Sequence, residues 1–166
     1  MTPCNIFLPK FFQKILVEVP EATLTITGSI EGLNLSSIGP KDGIIFSGHI
    51  PDIRPAVASA WVCVVPLRLG GGTRLKILEA MALGTPVIAT PKGAQGLEVT
   101  PGEDILIADE PDQFAVQTVR LLRNPELRAR LVYNGRRLVE TNYGWDTIGD
   151  KIEKVVEAAV NKWNSR

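Results

Sequence analysis

Three consecutive glycines, Gly70-Gly71-Gly72, stand between an unbroken apolar run at residues 60–66 and a segment with helical periodicity at residues 73–83. Glycine loses more backbone freedom on ordering than any other residue, so such a run suits neither helix nor strand. It imposes a strand, a turn and a helix in that order. A strand apolar at nearly every position is one covered on both faces, as strands of parallel sheets are. The spacing predicts Thr73 as the helix N-cap and Gly84 as the residue that ends it.

The same alternation runs through the chain. Residues 6–19 read as a helix, with Ile6, Leu8, Phe11, Phe12, Ile15, Leu16 and Val19 on one broad apolar face, stopped by Pro20. Strands are predicted at 22–28, 43–48, 60–66, 86–90 and 104–108, with a short helix at 55–60 and a loop, with room for a short helix, at 31–41. Helices follow at 112–123, 125–142 and 146–163, and Asn124-Pro125-Glu126 is a cap followed by proline in the first turn. Short apolar strands separated by crossover-sized segments define one α/β domain over residues 1–166. Its architecture is a doubly wound, mostly parallel sheet with helices on both faces.

Composition excludes several function classes. Lys plus Arg and Asp plus Glu both total 18, so no global basic field exists to attract nucleic acid. No signal peptide and no apolar stretch of membrane-spanning length is visible, and a reduced, cytoplasmic setting is expected. The two cysteines, Cys4 and Cys63, lack metal-ligand spacing, and Cys63 sits within the apolar run Trp61-Val62-Cys63-Val64-Val65. No metal site and no cofactor are expected.

In open parallel sheets, ligands bind beyond the carboxyl ends of the strands. The loop Leu67-Arg68-Leu69-Gly70-Gly71-Gly72-Thr73-Arg74-Leu75-Lys76 occupies such a place. Its glycines let a backbone approach a ligand, the helix start offers unpaired N–H groups, and Arg74 and Lys76 add positive charge. That combination suits phosphate, although the Gly-Lys-Ser/Thr ending of a Walker A loop and the Gly-x-Gly-x-x-Gly pattern are both absent. Glu79 lies in the apolar stretch Ile77-Leu78-Glu79-Ala80-Met81-Ala82-Leu83, where a carboxylate is expected to be buried and to need a partner. It shares a helix face with Leu75 and Lys76, and suits the two hydroxyls of a ribose; an ion pair with Lys76, or simple exposure, is the plainer alternative.

The run PLRLGGGTRLKILEAMALGTPVIAT at 66–90 resembles the C-terminal domain of group 1 (family 4) glycosyltransferases of the GT-B fold. The resemblance extends over KGAQGLEV at 92–99, PEATLTITG at 20–28, FSGHIPDIRP at 46–55 and NYGWD at 142–146. It implies a Rossmann-like half of a GT-B fold, and retaining transfer from a nucleoside-diphosphate sugar, UDP- or GDP-linked. Glu79 would be the ribose-binding glutamate. The amides of Gly72, Thr73 and Leu75 would approach the diphosphate and sugar, and Gly48 to Ile50 would border the base. The acceptor, a sugar or lipid-linked glycan, would come from an N-terminal domain outside this chain, without which the chain would be inactive. The resemblance also implies no required metal.

Two departures bear on that expectation. Many family members carry a second glutamate eight positions before the ribose-binding one, near the transferred sugar; here Gly71 occupies that position. The family's first strand, with the glycine turn, Arg and Lys near it, has no counterpart after Met1, and Lys10 does not take the phosphate role. A non-catalytic nucleotide- or protein-binding module is the main alternative, and a sugar-nucleotide epimerase the third.

Other tempting residues have plainer readings. His49, the single histidine, is read as a loop residue near the base. Trp61 begins a core strand and Trp145 packs at the start of the last helix. Arg120, Arg123, Arg128, Arg130, Arg136 and Arg137 form solvated faces, with peripheral contact to anionic lipid as the alternative. Ile148, Ile152, Val155, Val156 and Ala159 make an apolar stripe on the last helix, which would be exposed without the partner domain and would favour self-association.

Overall fold

The computed structural model of the protein describes residues 4–29 and 43–164. Among these residues twelve elements follow one another: α1 (Cys4–Glu18), β1 (Leu24–Thr27), β2 (Ile44–Gly48), α2 (Arg54–Ala58), β3 (Cys63–Val65), α3 (Leu75–Ala82), β4 (Val87–Ala89), α4 (Pro91–Ala94), β5 (Leu106–Ile107), α5 (Pro111–Arg123), α6 (Pro125–Asn142) and α7 (Trp145–Asn164). All five expected strands form, each shorter than its apolar run. The helix α4 was not foreseen; the short helix considered at 31–41 lies outside the described residues.

Every strand pair is parallel. The strands form two patches, β1-β2 and β3-β4-β5, rather than one continuous sheet. β1 and β3 therefore each keep one edge without a hydrogen-bonded strand among the described residues. β4, with a strand on both sides, is fully buried, whereas all three residues of β3 are only half-buried.

The alternation of side chains across the strands divides the interior in two. Val64, Ile88 and Leu106 face a core built with Phe11, Phe12 and Ile15 of α1 and Phe114, Ala115 and Leu121 of α5; Leu24 and Ile44 of the other patch pack on the same core. Cys63, Val65, Val87, Ala89 and Ile107 face the opposite core, with Ile77, Ala80 and Met81 of α3, Ala94 of α4 and Val57 of α2. The period of two along each strand thus puts helices on both faces. α6 joins the cores, giving Leu127 and Leu131 to the first and Leu138 and Val139 to the second.

α1 and α5 meet through Phe11 and Phe114, whose ring centroids lie 5.0 Å apart at an interplanar angle of 59°. Each fully buried aromatic of this kind contributes about 1.5–3 kcal/mol. Salt bridges Lys14–Asp112 at 2.7 Å and Arg123–Glu18 at 3.0 Å flank the contact. α6 starts as its sequence predicts: Asn124 Oδ1 accepts from the Leu127 N–H at 2.8 Å, with Pro125 in the first turn.

Two tryptophan expectations are corrected. Trp61 precedes β3 instead of beginning it and is 62% exposed, with the Arg128 guanidinium 4.5 Å from its ring centroid. β3 starts two residues later, so the Trp61 side chain never enters the sheet. Trp145 is 88% exposed and packs against nothing that buries it. Arg128 also departs from the solvated-face expectation: its Nη1 donates to the carbonyls of Leu121 and Leu122 near the end of α5.

Candidate nucleotide-sugar site

The Gly loop leaves the carboxyl end of β3, and α4 starts at the carboxyl end of β4. Thr90 ties the two together. It is fully buried, its hydroxyl donates to the Leu67 carbonyl, and the same oxygen accepts the Gly93 N–H at 3.0 Å as the N-cap of α4. Gly93 has to be a glycine here, because a Cβ would lie 2.8 Å from the Val65 carbonyl oxygen. Arg68 extends the same rim to β5 through its 3.1 Å ion pair with Asp109. The roots of three loops are thus held together beyond the ends of three adjacent parallel strands.

The loop itself is open. Gly70, Gly71, Gly72 and Thr73 are all exposed. Gly70 and Gly72 have φ of +118° and +86°, a left-handed region costly for any residue with a Cβ. Gly71 meets neither requirement: its φ is not in that region and a Cβ would find nothing within 4 Å. The backbone therefore leaves room for a side chain at the position where the family often has its second glutamate.

The start of α3 differs from expectation. Arg74, not Thr73, is the N-cap, and no side chain caps the helix. The N–H groups of Ile77 and Leu78 both turn back to the Arg74 carbonyl, at 3.0 and 3.5 Å. Those of Leu75 and Lys76 have no intrahelical acceptor, as the geometry of a helix start dictates. They lie at the positive end of the α3 dipole, beside the Gly loop. The other end matches the sequence reading. Gly84, at φ +80°, donates to Met81 O at 3.1 Å, while Thr85 N–H donates to Ala80 O at 2.9 Å, the paired bonds of a Schellman motif.

Glu79 is not a buried carboxylate. α3 buries Ile77, Leu78, Ala80 and Met81, and turns Leu75, Lys76 and Glu79 to the open side. The apolar sequence around Glu79 covers the sheet with one face, so burial stops short of it. It is exposed and makes no side-chain hydrogen bond or ion pair among the described residues; the pair with Lys76 does not form. The expected sharing of a face by Leu75, Lys76 and Glu79 does hold.

Electrostatics connect this face to the segment after β2. Asp52 binds Arg54 at 2.8 Å; that hydrogen bond raises the Arg54 pKa and holds Asp52 below its ordinary value. Val57 of α2 packs on the core that holds Ile77, Ala80 and Met81 of α3, and the charge of Glu79 adds a little to the rise at Arg54. Ile50, half-buried, precedes this segment, and Gly48 turns there with φ +68°. His49 is exposed. Beneath the face, burial pushes the Cys63 thiol up to about 11, with Lys76 opposing and Glu79 adding to the shift. Cys63 is a free cysteine, and its high value makes it a poor nucleophile.

Arg74 is placed unexpectedly. It is 8% exposed, and its Nη1 and Nη2 donate to the carbonyls of Gly71 and Gly70 at 3.0 and 3.3 Å. Sequence reasoning put its charge at the surface of the site, because a side chain folding back on its own loop leaves no mark in composition or spacing. It also missed the contacts behind NYGWD: the Tyr143 hydroxyl accepts the Glu98 N–H at 2.8 Å, and Asn142 Nδ2 donates to the Glu98 carboxylate at 3.0 Å. They hold the segment after α4 against the end of α6.

Two concavities lie elsewhere, beyond β5. Ile107, Ala108, Asp112, Gln113, Val116 and Gln117 line one, and Lys10, Lys14 and residues 110–113 line the other. Neither is lined by a Gly-loop residue, and the candidate site, with residues 70–73, Leu75, Lys76 and Glu79 all exposed, is an open surface. Among the described residues no group of three or more His, Cys, Asp or Glu could hold a metal ion, and no helix is long and apolar enough to cross a membrane.

Parallel strands, helices on both faces and a Gly loop feeding a helix at the strand ends define a Rossmann-like α/β domain. The sequence profile described as "Glycosyl transferases group 1" matches residues 3–124, and the chain belongs to that family. A GDP-mannose-dependent monoacylated alpha-(1-6)-phosphatidylinositol monomannoside mannosyltransferase of Corynebacterium glutamicum is 26% identical over 163 residues, covering 91% of this chain and 43% of the relative. The chain therefore spans less than half the length of that curated relative. The C-terminal domain of LpcC, a glycosyl transferase group 1 family protein from Francisella tularensis, superimposes with a TM-score of 0.69 at 26% identity, covering 82% of this chain and 79% of that one. Anabaena Alr3699/HepE in complex with UDP gives a TM-score of 0.71 at 19% identity, covering 90% and 46%, a likeness of fold.

Proposed function

We propose that this chain is the donor-binding domain of a retaining glycosyltransferase and holds a nucleoside-diphosphate sugar on the open face of α3. One observation carries the reading. The uncapped start of α3, the exposed Gly loop and the unpaired Glu79 carboxylate share one surface beyond the ends of parallel strands. Free N–H donors at the positive end of a helix dipole suit a diphosphate. Four residues of helix rise, about 6 Å, set the Glu79 carboxylate one turn along from Leu75, where the ribose hydroxyls would lie. Gly48 to Ile50 then border the base.

The binding roles divide accordingly. The amides of Gly71, Gly72, Thr73, Leu75 and Lys76 face the diphosphate and sugar, the Lys76 ammonium adds charge, and Glu79 orients the ribose. Negative charge grows on the diphosphate as the glycosidic bond breaks, so donors fixed beforehand contribute to rate as well as affinity. The GDP-mannose dependence in the Corynebacterium relative's name and the UDP bound to HepE support a nucleoside-diphosphate donor, GDP- or UDP-linked. The acceptor, a sugar or lipid-linked glycan, is assigned to an N-terminal domain, and the chain alone is read as inactive. Neither a metal nor a resident cofactor enters this scheme. A reduced, cytoplasmic setting goes with it, supported by the free Cys63 thiol. Peripheral contact with anionic lipid remains the alternative reading of the exposed arginines on α5 and α6.

A second reading is a non-catalytic nucleotide- or protein-binding module. Gly71 favours it, because space for a side chain is left where many relatives have a carboxylate near the sugar. Both readings meet in one titration. Calorimetry with UDP, GDP and ADP on this chain and on Glu79→Ala is expected to show one preferred nucleotide. Its affinity should fall about 10-fold to 100-fold in the variant, the range for losing hydrogen bonds to a charged group. Equal binding by both proteins would remove Glu79 from the site. Transfer activity of a chain joined to an acceptor domain then separates catalyst from module.

A further inference from the structure

Among the described residues, surface arginines and lysines take carboxylate partners: Lys14 with Asp112, Arg54 with Asp52, Arg68 with Asp109, Arg123 with Glu18 and Arg136 with Glu140. Arg74, which is buried, has none among the described residues. Its two terminal nitrogens reach the Gly70 and Gly71 carbonyls, which carry no formal charge. Its Nε is buried without a hydrogen bond, the one side-chain polar atom in that condition among the described residues. A buried guanidinium with neither counter-charge nor full hydrogen bonding is costly, and an unsatisfied buried group calls for an explanation.

The surroundings supply one. Next to this unneutralised charge lie the exposed Gly70–Gly72 segment and the N–H groups of Leu75 and Lys76, which also lack acceptors. All are donors. No carboxylate of the described residues serves them, so the acceptor they fit is an anion brought from outside. The two carbonyl bonds also fix the loop: with Gly70 O and Gly71 O turned inward to the guanidinium, the loop backbone is held in one arrangement before any ligand arrives.

We propose that Arg74 is a positioning residue that sets the Gly70–Gly72 loop from beneath, and that its uncompensated charge makes the site select diphosphates over nucleosides. This rests on the nucleotide-donor reading above. The guanidinium acts through the loop and through the field it places under the ligand. Arg74→Met removes the charge and the fork while keeping much of the apolar stem; Arg74→Lys keeps the charge and loses the fork.

The test is a ligand ladder. Uridine, UMP and UDP, with guanosine, GMP and GDP in parallel, are titrated into wild type, Arg74→Met and Arg74→Lys, each first checked by circular dichroism and thermal melting. The expected result is that Arg74→Met binds the nucleoside within about twofold of wild type. It should lose about tenfold or more of the gain from nucleoside to diphosphate, with Arg74→Lys between the two. Free Arg74→Met should melt no lower than wild type, because a buried unpaired charge has gone. An undiminished diphosphate gain in Arg74→Met overturns the inference and leaves the donor reading standing. Equal loss of nucleoside and diphosphate, or a variant that fails to fold, overturns it in favour of a purely structural arginine. A folded wild type that binds neither series overturns the donor reading, and this inference with it.

Discussion

Thr90 shows how much of the site depends on single buried groups. Its hydroxyl joins the root of the Gly loop at Leu67 to the start of α4 at Gly93, and no water reaches it. Thr90→Val keeps the shape and leaves both partners without Oγ1. The expected cost is about 2–4 kcal/mol in urea unfolding, since each buried group left unpaired costs about 1–3 kcal/mol. A variant within about 0.5 kcal/mol of wild type, as for an ordinary surface change, would contradict this account of the rim. Nothing in the sequence marks Thr90, because a threonine at the end of an apolar strand looks like many others. Glu79 and the Gly loop were legible, since a lone carboxylate in an apolar helix and a glycine run after a strand each break a pattern. The pattern left burial and exposure of Glu79 both open, and the packing decides for exposure: α3 covers the sheet with one face only, and Glu79 stands on the other.

Among the elements, α6 followed its sequence signals most closely, and α3 did so at its C-terminal end but not at its start. Gly84 closes α3 and Asn124 opens α6 through the bonds their residue types predict. Strand edges were less legible, because each strand takes only the part of its apolar run that finds a ladder partner. The separation of β1-β2 from β3-β4-β5 had no local signal at all; strand pairing is set by tertiary neighbours, not by the strand's own residues. α7 bears out its amphipathic pattern and has no element covering it among the described residues. Ile152, Val155, Val156, Val160 and Trp163 are 51–74% exposed along one helix. Exposed apolar surface of this extent favours association. Sedimentation velocity should show a concentration-dependent shift from monomer toward a larger species, reduced by Val155→Glu. A single monomeric species up to about millimolar concentration, well beyond the micromolar range of modest interfaces, would contradict it.

At the scale of the molecule, the fold brings distant pieces of sequence to one surface. Thr90 and Arg68 hold the rim, α3 presents its unpaired donors there, and the segment after β2 approaches through Val57 of α2, packed on the core under α3. The concavities beyond β5 offer a competing place for a ligand, lined by Ile107, Ala108, Asp112 and Gln113 among others. Amide-shift mapping by two-dimensional NMR decides between them. On titration with UDP or GDP, the largest shifts are predicted at Gly71 to Lys76, at Glu79 and at Ile50. Shifts centred on residues 107–117 instead, or none with either nucleotide in a folded protein, would contradict the donor-site account.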